Sequence, residues 1–231
     1  MNLFACYAAY VRRNAQMPYN YRNTAFIETD FFNLDFWTHH EGAVGGHWLG
    51  SGVEGHPGVA YLDAYTFGDV TGLCSIYMDG NIYLNSVTTT QINLVMPYPL
   101  SEATNEYIAR FGFCDTGIAD INKGIYFLYD RLNHGINWQC VTATSAGVGT
   151  MTDTGVPVVS DWVGLQINVN PTATSVEFLI DGVSVATHTT NIPTTSTARN
   201  YLHVTANSGS PHPTLYFDYY SLRQDLATPR A

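Results

Sequence analysis

The chain has 231 residues, with nine Lys plus Arg against nineteen Asp plus Glu and a net charge of −10 when histidine is neutral. That acidic balance argues against nucleic acid as a partner, because binding it needs a basic face. No apolar run approaches the roughly 20 residues that span a bilayer, so a soluble chain with no membrane partner is expected.

Only 12% of the residues are charged, while Gly and Tyr number 20 and 16, a composition suited to strands and turns rather than exposed helices. A chain of this length can close one full core. The predicted organisation is an N-terminal anchoring arm over residues 1–24 and one β-sandwich domain over residues 25–231. The arm holds Arg12, Arg13 and Arg22 with no acid, interleaved with Tyr7, Tyr10, Tyr19 and Tyr21. It is opposite in sign to the body that follows. Its basic pair lies after the apolar start, the reverse of a secretory leader. Tyr and Arg are favoured interface anchors, so Tyr10, Arg12, Arg13, Tyr19 and Arg22 are the candidate partner-attachment residues; a first strand or a frayed terminus is the competing reading.

The run FIETDFFNLDFW, residues 26–37, is dense in aromatics and is expected to enter the core. Within it Glu28-x-Asp30-x-x-Asn33 resembles the E-x-D-x-x-E strand of retaining β-glucanases, which need two carboxyl groups about 5.5 Å apart. Asn33 stands at the third position and cannot donate a proton as an acid, which argues against glycoside hydrolysis there. Residues 39–58, HHEGAVGGHWLGSGVEGHPG, read as a long glycine-rich connection. His39, His40, His47 and His56 in it invite a zinc or copper reading. Adjacent His39 and His40 would face opposite ways on a strand, and the other two follow at no ligand spacing, so ordinary loop histidines are expected. Cys6, Cys74, Cys114 and Cys140 form no C-x-x-C pair, which excludes a zinc ribbon and points to buried free thiols.

Beyond residue 58, GVAYLDAYTFG, LCSIYMDGNIYLNS and TTQINLVMPYP are expected strands, with a hairpin at Asp79-Gly80 between IYM and IYL. NEYIARFGFCD, GIYFLYD and INWQCVTAT form a second set, turned at Asn133-His134-Gly135. Asp115, Asp120 and Asp130 leave calcium open in the loops; no other cofactor is expected.

The most legible stretch is residues 162–193. Leu165, Ile167 and Val169 alternate with Gln166, Asn168 and Asn170, and Val176, Phe178 and Ile180 alternate with polar neighbours, the period of half-buried strands. Asn170-Pro171-Thr172 supplies one turn, and Asp181-Gly182 is the dipeptide of a tight hairpin whose central residues need positive φ. The meander is read as register and core, not as chemistry. RNYLHVTAN and TLYFDYYSLRQDL supply the last strands, with Leu215, Phe217 and Tyr219 on one face and Tyr216, Asp218 and Tyr220 on the other. About a dozen strands with almost no helical periodicity predict an all-β, antiparallel two-sheet sandwich. Lys123 is the only lysine, so the sheet edges are expected to be covered by closure or by oligomerisation rather than by charge.

The order of these signals, GHPGV (55–59), RFGFCD (110–115), GIYFLYD (124–130), TDTGVPV (152–158), W-x-x-L-x-I-x-V, V-x-F-x-I-D-G, NIP (191–193) and FDYYSL (217–222), resembles the concanavalin A-like jelly-roll sandwiches of bacteriophage structural proteins. The resemblance spans roughly residues 40–225. It implies a non-enzymatic virion component, a capsid decoration (cement) protein or a head or tail fibre, usually a homo-oligomer and often a trimer, attached to a capsid or tail protein. The virion is then its expected location.

Two other readings stand beside that one. A lectin-like receptor-recognition module would bind a surface glycan, with Trp37, Trp48, Tyr61 and Tyr65 as candidate contacts, although core packing is the commoner reason for aromatics. A polysaccharide lyase on a similar sandwich would carry Q-I-H or Q-V-H, where this chain has Gln91-Ile92-Asn93. Asn93 cannot act as a base near neutral pH, and the acidic body suits a polyanionic substrate poorly. No catalytic constellation is legible.

Overall fold

The computed structural model describes residues 24–30, 37–41, 45–53, 56–64, 72–78, 82–84, 87–115, 123–194, 197–208 and 213–225. Among them the backbone forms two antiparallel sheets and one short helix, the architecture expected from the alternating pattern. The first sheet runs β14 (Val183–His188), β13 (Val176–Ile180), β12 (Trp162–Val169), β7 (Thr88–Val95), β16 (Thr214–Asp225), β4 (His56–Ala64), β3 (Gly45–Val53), and β1 (Thr24–Thr29) also pairs with β16. The second runs β11 (Val148–Pro157), β10 (Asn137–Ser145), β9 (Gly124–Asp130), β8 (Glu106–Cys114), β15 (Thr197–Ser208), β5 (Gly72–Met78), β2 (Trp37–Glu41), and β6 (Ile82–Tyr83) also pairs with β15.

The expected meander is present. Leu165, Ile167 and Val169 lie opposite Ile180, Phe178 and Val176, so one apolar face continues across β12 and β13. Asp181 and Gly182 close the hairpin at φ 49° and 76°, the left-handed pair that the sequence anticipates. At the other turn the Asn170 side chain accepts from the N–H groups of Thr174 and Ser175 at 2.8 and 3.1 Å, which satisfies donors the strands leave behind.

The core lies between the sheets. Ile92, Leu94, Leu165, Ile167, Phe178 and Phe217 of the first sheet meet Phe111, Phe113, Ile125, Phe127, Trp138 and Val204 of the second, all buried. Phe127 and Phe178 touch edge to face across the gap, with centroids 5.3 Å apart. Full burial of each such side chain contributes about 2–3 kcal/mol. Gly112 sits at φ 148°, where a Cβ would collide with the backbone of β9 and crowd Ile167; the glycine in RFGFC lets the sheets approach. Cys74, Cys114 and Cys140 are buried.

Four sequence expectations are corrected. Residues 39–58 are not a connection: His39 and His40 lie in β2, His47 in β3, and His56 opens β4. Glycine-rich strands read as loops because they lack the β-branched signal, yet they form where backbones pack closely. The IYM and IYL runs do not form a hairpin with each other. β5 and β6 both pair with β15, at residues 201–206 and 197–198, so the long β15 takes both runs along one edge. Asn133-His134-Gly135 lies in and beside a single helical turn, Arg131–His134, here α1, capped by Asp130, which accepts from the Asn133 N–H at 3.2 Å. Finally, the register shifts in β16 between Phe217 and Tyr219, so Tyr220, not Tyr219, joins the buried face and Asp218 is buried beside Phe217.

At the sandwich edge His188 of β14 is 3% exposed. Its Nδ1 and Nε2 meet the hydroxyls of Thr142 and Thr152, on β10 and β11 of the other sheet, at 3.0 and 2.9 Å. Burial lowers its pKa below the ordinary histidine value, with the Phe178 ring edge against it and no carboxylate among those contacts. A depressed folded pKa means that the unfolded chain takes up the proton first, so this contribution is complete above about pH 6.5 and is lost as pH falls. The urea midpoint should therefore fall between pH 7.5 and pH 5, and His188→Gln should flatten that dependence.

Candidate functional site

The outer face of the first sheet is set by register. Trp162 lies opposite Val95, Val95 opposite Tyr216, Tyr216 opposite Tyr61, and Tyr61 opposite Trp48. Directly opposed residues share a face, so one row crosses β12, β7, β16 and β4, with an aromatic at three of its four positions. The Tyr61 and Tyr216 rings are 5.7 Å apart and Tyr216 is 43% exposed. The parallel row below is polar: Gly164 faces Asn93, and Asn93 faces Tyr219. Gln166, Gln91 and Ser221 follow one step further along.

Between these rows lies a groove of about 290 Å³ lined by His56, Gln91, Asn93, Trp162, Gln166 and Asp181, among others. Its walls are fixed in three ways. The His56 imidazole stacks on the Trp162 indole at 3.8 Å between centroids and 10° between planes. His56 Nδ1 is paired with Asp218 Oδ2, a carboxylate 6% exposed whose other oxygen has no hydrogen-bond partner. Asp181 Oδ1 accepts from the Gly164 N–H at 2.7 Å, holding the β13–β14 hairpin over the floor. Gly164 keeps that floor open, since a Cβ there would stand 3.3 Å from Asn93 Oδ1 and 3.5 Å from Asp181 Oδ1.

The floor amides differ in what they spend. Gln166 Nε2 donates to Asn168 Oδ1 at 2.9 Å, whereas the Gln91 and Asn93 side chains make no hydrogen bond to another described residue. Beside the groove, Tyr219 Oη donates to Glu28 Oε1 at 3.0 Å, and the tyrosine pKa is pushed up to about 12, first by burial. Asp30 is also raised, by burial and then by the charges of Glu28 and Asp218. No group of three or more His, Cys, Asp or Glu side chains among the described residues is arranged to hold a metal ion.

Of the glycan candidates, Tyr61 lies in the aromatic row and Trp48 holds the next register position. Trp37 is half-buried against the core, its ring edge-on to Tyr220 at 4.7 Å. Tyr65 and the arm residues Tyr10, Arg12, Arg13, Tyr19 and Arg22 lie outside the described residues. Asp115 and Asp130 stand at opposite ends of β9 and share no site; Asp120 is outside the described residues. Glu28 is held by the Tyr219 hydroxyl, and neither it nor Asp30 lines the groove; Asn33 is outside the described residues. Sequence reading missed His56, taken for a loop residue, and Trp162, Asp181 and Asp218, taken for register. The one signal pointing here is Gln91-Ile92-Asn93, whose alternation puts both amides on one face.

Two antiparallel sheets of this topology define a concanavalin A-like jelly-roll sandwich. The fold is shared with a β-glucanase of Bacillus licheniformis at 12% identity, a TM-score of 0.59 and coverage of 86% of this chain and 97% of that one. It is shared also with the carbohydrate recognition domain of Emp46p at 11% identity, TM-score 0.58, covering 82% and 88%. A prokaryotic β-1,3-1,4-glucanase (lichenase) derived from a mouse hindgut metagenome gives 14% identity, TM-score 0.58 and coverage of 87% and 98%. No curated protein matches the sequence. By sequence the chain belongs to the SO2946-like, C-terminal domain family, whose profile matches residues 78–218, more than half of its length.

Removing Asp218 would leave His56 without its anchor. Asp218→Ala should lower stability by about 1–3 kcal/mol, read from urea denaturation near pH 7, while Asp218→Asn should recover much of the loss by keeping a hydrogen-bonding side chain in place.

Proposed function

We propose that the protein is a carbohydrate-binding module whose ligand lies along the outer face of the first sheet. One observation carries this reading: an aromatic row, Trp162, Tyr216 and Tyr61, runs beside two amides, Gln91 and Asn93, that make no hydrogen bond to the described residues. Aromatic faces pack the apolar faces of a sugar ring, and free amides can both donate to and accept from its hydroxyls. Carbohydrate-recognition domains and glucanases among the proteins that share the fold support the reading. Recognition fits the groove better than glycosidic cleavage, which needs two carboxyl groups flanking the bond; among the described groove-lining residues only Asp181 is a carboxylic acid.

Isothermal titration with neutral oligosaccharides of increasing length tests this. Affinity should rise until the row across the strands is filled, a span of roughly 14 Å from β12 to β4 at the usual strand spacing. Trp162→Ala or Gln91→Ala should weaken binding about tenfold or more, at 1.4 kcal/mol per decade. Gly164→Leu, which fills the floor, should abolish it. Binding unchanged in all three folded variants would reject this face as the site.

A second reading concerns where the module is carried. Residues 1–24 hold three arginines and no acid on a chain of net charge −10, which favours an attachment segment docking on an acidic partner, as in a virion decoration or fibre protein assembled as a homotrimer. A variant lacking residues 1–23 should lose its oligomeric state or its attachment to particles while keeping oligosaccharide affinity. Native mass measurement and particle co-sedimentation decide this, and an unchanged result in both would reject the arm's role.

A further inference from the structure

His56 is held as a base would be. The Asp218 side chain is 8% exposed, and its Oδ2 takes the Nδ1 side of the imidazole, so the carboxylate favours the tautomer with the proton on Nδ1 and a lone pair on Nε2. Stacking on Trp162 fixes the ring plane. Nε2 makes no hydrogen bond to a described residue, and His56 lines the groove. A buried carboxylate, an imidazole with one nitrogen committed, and the other nitrogen free beside a ligand groove are the parts of general-base catalysis.

The chemistry of the lining narrows the bond that such a base could attack. Glycosidic cleavage is disfavoured by the single lining carboxylate, already described. Proton abstraction from a uronate needs its carboxylate neutralised, yet among the described residues no Arg or Lys lines the groove, and Asp181 does. An uncharged acyl ester meets neither obstacle: its carbonyl oxygen can take the free amide N–H of Asn93 or Gln91 as charge develops on it. We propose that His56 is a general base and that the groove hydrolyses O-acyl esters borne by a neutral glycan, an activity that rests on the carbohydrate-binding reading of the same face.

In this reaction water gives a proton to His56 Nε2 as its oxygen bonds to the acyl carbon. The acyl carbon–sugar oxygen bond then breaks, and the departing sugar oxygen takes the proton back from His56. The products are a free hydroxyl and a carboxylic acid, which ionises in solvent, and water is the sole co-reactant. Asp218 acts through His56 and is a positioning residue.

The test incubates the full chain with O-acetylated glucomannan and measures acetate, while calorimetry measures binding of the chemically deacetylated polymer to the same preparations. Acetate release is expected from the native protein. It should fall about 100-fold or more in His56→Gln, the usual scale for a lost general base. Asp218→Asn should lower kcat and move the pH–rate profile with KM little changed, and Asp218→Glu should restore part of the rate. Circular dichroism confirms the fold of each variant. Release undiminished in folded His56→Gln, or no release by the native protein while deacetylated polymer binds, would overturn the hydrolytic proposal and leave the binding reading standing. Neither release nor binding of either polymer would overturn both.

Discussion

The register shift in β16 between Phe217 and Tyr219 is the constraint on which the rest of the site depends. β16 is the most heavily committed strand of the first sheet, pairing with β7 on one side and with both β4 and β1 on the other. A strand with three partners has little freedom to slip, because a slip of one residue would move every side chain to the wrong face. The extra residue inserted there lets Leu215 and Phe217 face the core in one half and Tyr220 and Leu222 in the other. It also leaves Asp218 buried at the join, where a carboxylate is costly unless it is paired. His56 supplies the pair, so a feature of sheet geometry anchors the imidazole of the groove. Bulges commonly re-aim one side chain in this way near functional sites.

That arrangement separates the duties of the two sheets. The outer face of the first is open, with an aromatic row and unspent amides. On the second, Leu128, Val141 and Ala143 are buried with Ile108 and Tyr126 packed on them, and Tyr201 and His203 are fully buried in a stack. Among the described residues, the first sheet sets the unspent amides Gln91 and Asn93 beside an accessible aromatic row. Rigidity favours this placement: strands hold side chains more precisely than loops do, and the floor residues Gln91, Asn93, Gly164 and Gln166 all sit on β7 and β12, paired over eight positions.

The fold was readable because its signals are local. The alternation of Leu165, Ile167 and Val169 and the left-handed pair Asp181-Gly182 each determine a feature within a few residues, and both are found where expected. The site was readable only in part, because it is made by register across strands distant in sequence. Gln91 and Asn93 declare a shared face by their spacing, but nothing in the sequence near residue 56 indicates that a histidine there reaches Asp218, 162 positions on. Glycines hid β3 and the start of β4, and the bulge hid the burial of Asp218, since a period of two carried through residue 218 assigns it to solvent.

The same geometry explains why aromatic content alone was a poor guide to ligand contact. Trp37 and Trp162 look alike in sequence, each opening a strand, yet one ring packs edge-on to Tyr220 at the core margin while the other lies flat beneath an imidazole at the groove wall. The difference comes from the strand each begins. β2 lies at the edge of the second sheet, and Trp37 turns toward the core; β12 is an interior strand of the first sheet, and Trp162 falls on its outer row. An aromatic becomes a candidate platform when register places it on an open face beside polar groups with hydrogen bonds still to make, a condition that Trp162 meets and Trp37 does not.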